Sequence, residues 1–351
     1  VTYSPTTGNA TAAAAQNEGG TSVIDAYMHI GVPRFGSPEH IFHVLDSCGV
    51  SHAVAVLGPL VPDLPGLFAA MRERPDRIRG VGIPFGADAG ERLELARTEV
   101  KGGVIGMRLS FEECMATPGM LELLGDEGKC IYALNPVAST EAAELYLQWL
   151  DRYPDSFIAA PHFLFPGFGW QDRTKLDGSC IELLRHPRFY AILSRQGGNG
   201  SMRPYPHPDY LTWVEFVILH CGWERILWGS EFPVYLWRNE TYSQCVSWLS
   251  ELLPYVAPGQ LQAFLSGNAM RLLFSKPAGR AGEASIPEWL ETQFGEVRNR
   301  TIPLVQNAAL DIPGELYYRL LDAYLKSDDF TGERPFNDYL IRTLHAILKK
   351  R

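Results

Sequence analysis

The chain repeats one short pattern eight times: an apolar run, a turn and, in most cases, a helical stretch, with polar residues gathered at the last positions of the run. The first run is Val23-Ile24-Asp25-Ala26-Tyr27-Met28-His29 and the last is Ile226-Leu227-Trp228-Gly229-Ser230-Glu231-Phe232-Pro233. After the first, Ser37, Pro38 and Glu39 offer an N-cap, an N1 proline and an acid at the positive end of a helix. Ile41, Val44 and Leu45 then recur at helical spacing and Gly49 marks the stop. The next run, Ala53-Val54-Ala55-Val56-Leu57, is apolar throughout, as in a parallel strand buried on both faces. Strand, helix and strand make a βαβ unit.

The same reading predicts strands near 79–84, 103–109, 129–134, 157–162, 189–194 and 225–230, and helices near 91–100, 118–127, 140–152, 178–186, 208–221 and 258–274. Eight strands in alternation favour the α/β class as a closed (β/α)8 TIM barrel rather than an open sheet. No Gly-x-Gly-x-x-Gly follows the first strand, which leaves a dinucleotide site without support. The 351 residues exceed the roughly 250 of a barrel by one helical appendage. Residues 1–20 read as a disordered leader without a secretion signal, 21–276 as the barrel, 277–287 as a Pro/Gly/Ala/Ser linker and 288–351 as a helical C-terminal extension. Helices are expected near 288–297, 313–326 and 335–349, and the last two carry apolar faces, for instance Leu316, Leu320, Leu321 and Tyr324. These faces are expected to dock on the barrel flank or on a second copy, so a homodimer is a natural form.

A net charge of -9 argues against nucleic acid as a partner, and no run is long and apolar enough for a membrane span. Six scattered cysteines, with no Cys-x-x-Cys, read as reduced thiols in a cytoplasmic protein.

Side chains at the C-terminal ends of barrel strands face a common cavity. Here those ends supply Tyr27, His29, Arg108, Asn135, His162, Ser194, Arg195 and Glu231. Arg108 and Arg195 offer forked donors for a carboxylate. Asn135 is a further polar contact, and Trp170 and Trp237 lie where they could stack on a planar ligand or close over it. The remaining histidines, such as His40 and His207, read as packed or surface residues. Gly197-Gly198-Asn199-Gly200 lacks a P-loop lysine and reads as a flexible rim loop.

The Trp228-Gly229-Ser230-Glu231-Phe232-Pro233 and Gly267-Asn268-Ala269 motifs, with the first strand, resemble the amidohydrolase superfamily. More narrowly they resemble its amidohydrolase-related branch of aromatic-acid decarboxylases and sugar or pyrone-carboxylate lactonases, over about residues 22–275. In that family an Asp-x-His-x-His motif holds a divalent metal, whereas this chain has Tyr27 and His29 there. Asn135 stands where the fifth strand commonly has a ligand histidine, and Glu231 where the eighth has aspartate. His162 matches a histidine used for acid/base work or carbonyl polarisation, and Asp25 matches a residue of structural role.

The resemblance therefore implies a hydrolase of a small carboxylate-bearing ester, lactone or amide that works without a metal cofactor. In that reading Glu231 is the general base, His29, His162 and Tyr27 are acid or electrophilic groups, and Arg108 and Arg195 clamp the carboxylate. One alternative is a decarboxylase or hydrolase with a single Zn, Mn or Fe ion on His29, His162 and Glu231. Another is a catalytically silent barrel that binds a ligand or a protein.

Overall fold

Eight parallel strands follow one another in chain order, each hydrogen-bonded to the next, in the computed structural model of the protein. It describes residues 22–164, 176, 178–196, 201, 203–238, 240–277, 284–298, 301–303 and 311–349. Trp170, residues 1–20, Gly197–Gly200 and part of the expected linker lie outside them.

The strands are β1 (Val23–Ile30), β2 (Val50–Leu57), β3 (Ile78–Gly82), β4 (Gly106–Ser110), β5 (Cys130–Leu134), β6 (Ile158–Ala160), β7 (Phe189–Leu193) and β8 (Ile226–Trp228). Helices α1 (Pro38–Ser47), α2 (Leu64–Glu73), α3 (Ala89–Lys101), α4 (Phe111–Ala116), α5 (Gly119–Asp126), α6 (Thr140–Arg152), α7 (Gly178–Arg185) and α8 (Leu211–Cys221) surround them. This is the (β/α)8 barrel that the strand periodicity predicts. Ser37 caps α1 as expected, its hydroxyl accepting from the His40 amide at 3.4 Å.

The barrel closes between β1 and the segment that follows β8. The Glu231 amide donates to the Tyr27 carbonyl at 2.8 Å and the His29 amide to the Phe232 carbonyl at 2.7 Å. Asp25, fully buried, accepts from the Ser230 amide at 3.0 Å and the Tyr27 amide at 3.1 Å. Its structural role is thus to latch the first strand to the last. The register of β1 against β2 shifts between Asp25 and Met28, and Tyr27 packs with interior residues such as Ile24, Val54, Tyr132 and Leu227. A second, larger apolar layer lies between strands and helices.

After β8 come α9 (Val234–Trp237) and α10 (Tyr242–Leu252), neither of them expected from the sequence, and then α11 (Pro258–Gln262). The helical path continues from α11 to Phe274 in wider, π-type turns. Asn268 of the Gly-Asn-Ala motif is buried there and donates its carboxamide to the Trp223 and Ile226 carbonyls at 2.7 and 2.9 Å. The motif therefore pins this segment to the start of β8. It does not enter the rim.

The C-terminal extension forms α12 (Glu288–Arg298), α13 (Gly314–Leu325), α14 (Asp328–Thr331) and α15 (Phe336–Leu348), close to the expected bounds. It docks on its own barrel. Phe294 of α12 is buried against Phe35, Val61 and Val234 near the C-terminal rim. His40 of α1 pairs with Asp322 of α13 at 3.0 Å, and Trp237 donates its indole N–H to Tyr317 of α13. On α15, Ile341, Leu344, Ile347 and Leu348 remain more than half exposed. All six cysteines are free thiols, five of them buried, and among the described residues no helix is long and apolar enough to cross a membrane.

Strand packing yields a direct test. A Cβ added to Gly106 would lie 2.1 Å from the Cys130 carbonyl oxygen, across the β4–β5 ladder that carries Arg108. Gly106→Ala is expected to cost about 1–3 kcal/mol through overpacking. Chemical denaturation measures it, and an unchanged midpoint would contradict the close approach.

Candidate active site at the strand ends

Four consecutive strands, β5 to β8, are followed by a non-glycine residue in the left-handed backbone region: Asn135 (φ 50°), His162 (φ 57°), Arg195 (φ 56°) and Glu231 (φ 57°). Such a conformation costs on the order of 1–3 kcal/mol for a residue with a side chain and nothing comparable for glycine. Side chains kept in that conformation at one rim mark a site.

Glu231 is at its centre and fully buried. The Nε of Arg195 donates to its two oxygens at 2.8 and 3.0 Å, a second guanidinium nitrogen of Arg195 adds another bond, and Arg238 reaches Oε2 at 3.3 Å. Burial opposes the negative charge, but Arg195, with Arg238, overcomes it and holds the carboxyl well below the usual glutamate range. Arg195 is held above its ordinary value by the same contact, although burial works against it. Arg238 continues to buried Glu240 at 3.5 Å, and Glu240 faces His207 at 3.7 Å.

His29 is buried and approaches the Val56 carbonyl through Nδ1 at 3.3 Å. A carbonyl only accepts, so Nδ1 carries the hydrogen and Nε2 is left as an acceptor. His162 is buried with its Nδ1 3.1 Å from the Ser194 hydroxyl and 3.6 Å from Glu231 Oε1. Burial depresses both imidazoles, His29 to about 3 and His162 well below its ordinary value, where Arg195 adds to the effect. Both are neutral at pH 7.

Tyr27 makes edge contacts with both imidazoles, its ring centroid 5.0 Å from each. Arg108, half-buried, donates from Nε to the Tyr27 hydroxyl at 3.1 Å. That oxygen therefore accepts a charged donor and has its own hydrogen to give. Burial raises the Tyr27 pKa and Arg108 opposes the rise.

The structure thus gathers Tyr27, His29, Arg108, His162, Arg195 and Glu231 in one region. Asn135 is exposed at the end of β5, unlike the buried His162 and Glu231. Trp237 is half-buried and packs against Phe35 and Tyr317, with ring centroids 5.9 and 6.0 Å away. Ser194 was visible as a strand end, and its contact with His162 emerges only in three dimensions. The sequence reading missed Arg34, Gln196 and Arg238. Gln196 is buried with neither carboxamide atom hydrogen-bonded, and no motif marked any of the three. A cavity of about 620 Å³ opens between Pro84, Phe85, Glu112, Glu113 and Gln293 of α12, and no residue of the cluster lines it.

The donors suit a divalent cation poorly. Both Glu231 oxygens are engaged by guanidiniums, and the Tyr27 ring contacts the edges of both imidazoles. Among the described residues no three His, Cys, Asp or Glu side chains converge as a metal-binding group. A metal would have to displace Arg195 and Arg238 from Glu231 first.

No family model and no curated protein matches the sequence. Solved structures do match the fold. A probable 2-pyrone-4,6-dicarboxylic acid hydrolase from Acinetobacter baumannii, solved with citric acid bound, shares 16% identity over 72% of this chain and 98% of its own, with a TM-score of 0.55. An amidohydrolase from Burkholderia multivorans with bound zinc shares 15% over 71% and 98%, also at 0.55. A dihydroxybenzoic acid decarboxylase from Polaromonas with bound manganese shares 13% over 72% and 96%, at 0.50. The chain shares its barrel fold with these proteins.

The buried imidazole sets a pH signature. The folded state holds His29 unprotonated down to about pH 3, whereas an unfolded histidine takes up its proton near ~6.5. Between those values the unfolded chain binds more protons, so the stability from His29 is complete above ~6.5 and is lost as pH falls. Denaturation of wild type and His29→Asn at several pH values is expected to show a steeper loss in wild type between pH ~6.5 and ~4.5. Parallel curves would contradict the burial of a neutral imidazole.

Proposed function

We propose that the chain is a metal-independent hydrolase of a small ester or lactone that carries a carboxylate, with Glu231 as its general base. The observation that carries this reading is an ionised, buried Glu231 beside two neutral imidazoles and the Arg108–Tyr27 donor pair at the C-terminal strand ends. Water held by Nε2 of His29 attacks the acyl carbon as Glu231 takes its proton. The carbonyl oxygen, now negative, receives the Tyr27 hydroxyl and the charge of Arg108. The C–O bond then breaks, and Glu231 returns its proton to the departing oxygen. His162 adds a polar, uncharged contact beside Glu231. A carboxylate held ionised by guanidiniums is a weak base, and weak bases serve activated acyl groups better than amides. Of the three classes the sequence left open, esters and lactones fit best. The dicarboxylic acid hydrolase named among the fold neighbours supports the same class.

Turnover of carboxylate-bearing lactones and aryl esters by Glu231→Gln is expected to fall by at least about 10²-fold. Retained activity would remove Glu231 from the role. The zinc and manganese in neighbouring structures motivate the second reading, one cation on His29, His162 and Glu231. Elemental analysis of active protein prepared without chelator separates the two: near-stoichiometric metal favours the second reading, and trace metal with full turnover the first.

The exposed apolar face of α15 supports self-association as a homodimer. Leu344→Glu is expected to shift the sedimentation of wild type toward monomer. A wild type that already sediments as monomer would exclude the dimer.

A further inference from the structure

The sequence assigned the ligand carboxylate to Arg108 and Arg195, but in the fold Arg195 is committed to Glu231 and Arg108 to Tyr27. Arg34, on the segment between β1 and α1, has no such commitment. Its Nε is buried without a hydrogen-bond partner, and no carboxylate among the described residues pairs with its guanidinium. A half-buried cation without a counter-charge carries a desolvation cost. Two rings hold it: Cζ lies 5.5 Å from the Phe35 centroid and 5.6 Å from that of Trp237.

That platform is built from both parts of the chain. Phe35 is wedged over Gly58, where a Cβ would come within 1.8 Å of the ring, and it lies 4.7 Å from His29. Trp237 is oriented by its hydrogen bond to Tyr317 of the C-terminal extension. Arg34 is therefore one ring away from His29. A carboxylate arriving at its guanidinium would supply the counter-charge that the described residues do not.

We propose that Arg34 is the anchor for the carboxylate of the ligand, held in place by the C-terminal extension through Tyr317 and Trp237. This rests on the anionic-ligand half of the proposed function and not on the hydrolytic step.

Thermal unfolding of the full chain with sodium benzoate, sodium citrate and uncharged benzamide at matched ionic strength tests it. Wild type is expected to be stabilised by at least one carboxylate and not by benzamide. Arg34→Gln is expected to need at least tenfold more of that carboxylate for the same shift, with Arg34→Lys in between. Tyr317→Phe, which keeps the ring and removes the hydroxyl, is expected to weaken the response while keeping a ligand-free Tm near wild type. A wild-type response from Arg34→Gln overturns the assignment. So does a wild type stabilised no more by carboxylates than by benzamide. Since the readout is binding, a failure to hydrolyse any ester would defeat the proposed reaction and leave this result standing.

Discussion

The seam between β1 and the residues after β8 is the constraint on which the site depends. Asp25 holds the Ser230 amide, and the next residues pair their main chains with Tyr27 and His29. The same few hydrogen bonds that close the barrel thus set Tyr27, His29 and Glu231 beside one another. Burial raises the Asp25 carboxyl to about 6, against the bonds from Ser230, Tyr27 and Tyr242. A shift at this residue would open the barrel and misalign the site together.

On that frame the dominant electrostatic fact is a carboxylate bound by two guanidiniums. Removing a buried charge from water is expensive, and a single pair often fails to recover that cost. Glu231 recovers it with several charge-assisted bonds, which lower its basicity. Two neighbouring pairs work together: Tyr27 makes a partner for Arg108, and Glu231 meets Arg195 and Arg238.

Much of this was legible in the sequence because periodicity and caps are local. Eight apolar runs, the Ser37 cap and the C-terminal helices follow from residue spacing alone, and so did the convergence of Tyr27, His29, His162 and Glu231. The pairing was not legible. Nothing in the sequence distinguishes an arginine free to bind a ligand from one bound to a neighbouring carboxylate, so Arg195 read as a substrate clamp. Arg34 and Arg238 sit in connecting segments outside any motif, and their neighbours come from distant parts of the chain. Asn135 was read by its place at a strand end, where the structure leaves it exposed. The left-handed backbone at four strand ends was hidden as well, because none of those positions is a glycine.

The proposed chemistry needs Glu231 held ionised by Arg195 and Arg238, and NMR titration of ¹³C-carboxyl-labelled glutamate reads that state directly. The Glu231 resonance is expected to stay in its ionised position as pH falls through the ordinary glutamate value near ~4.3, and to regain a normal titration step in Arg195→Gln. A wild-type Glu231 that titrates near ~4.3 or above would contradict the clamped carboxylate and the chemistry built on it.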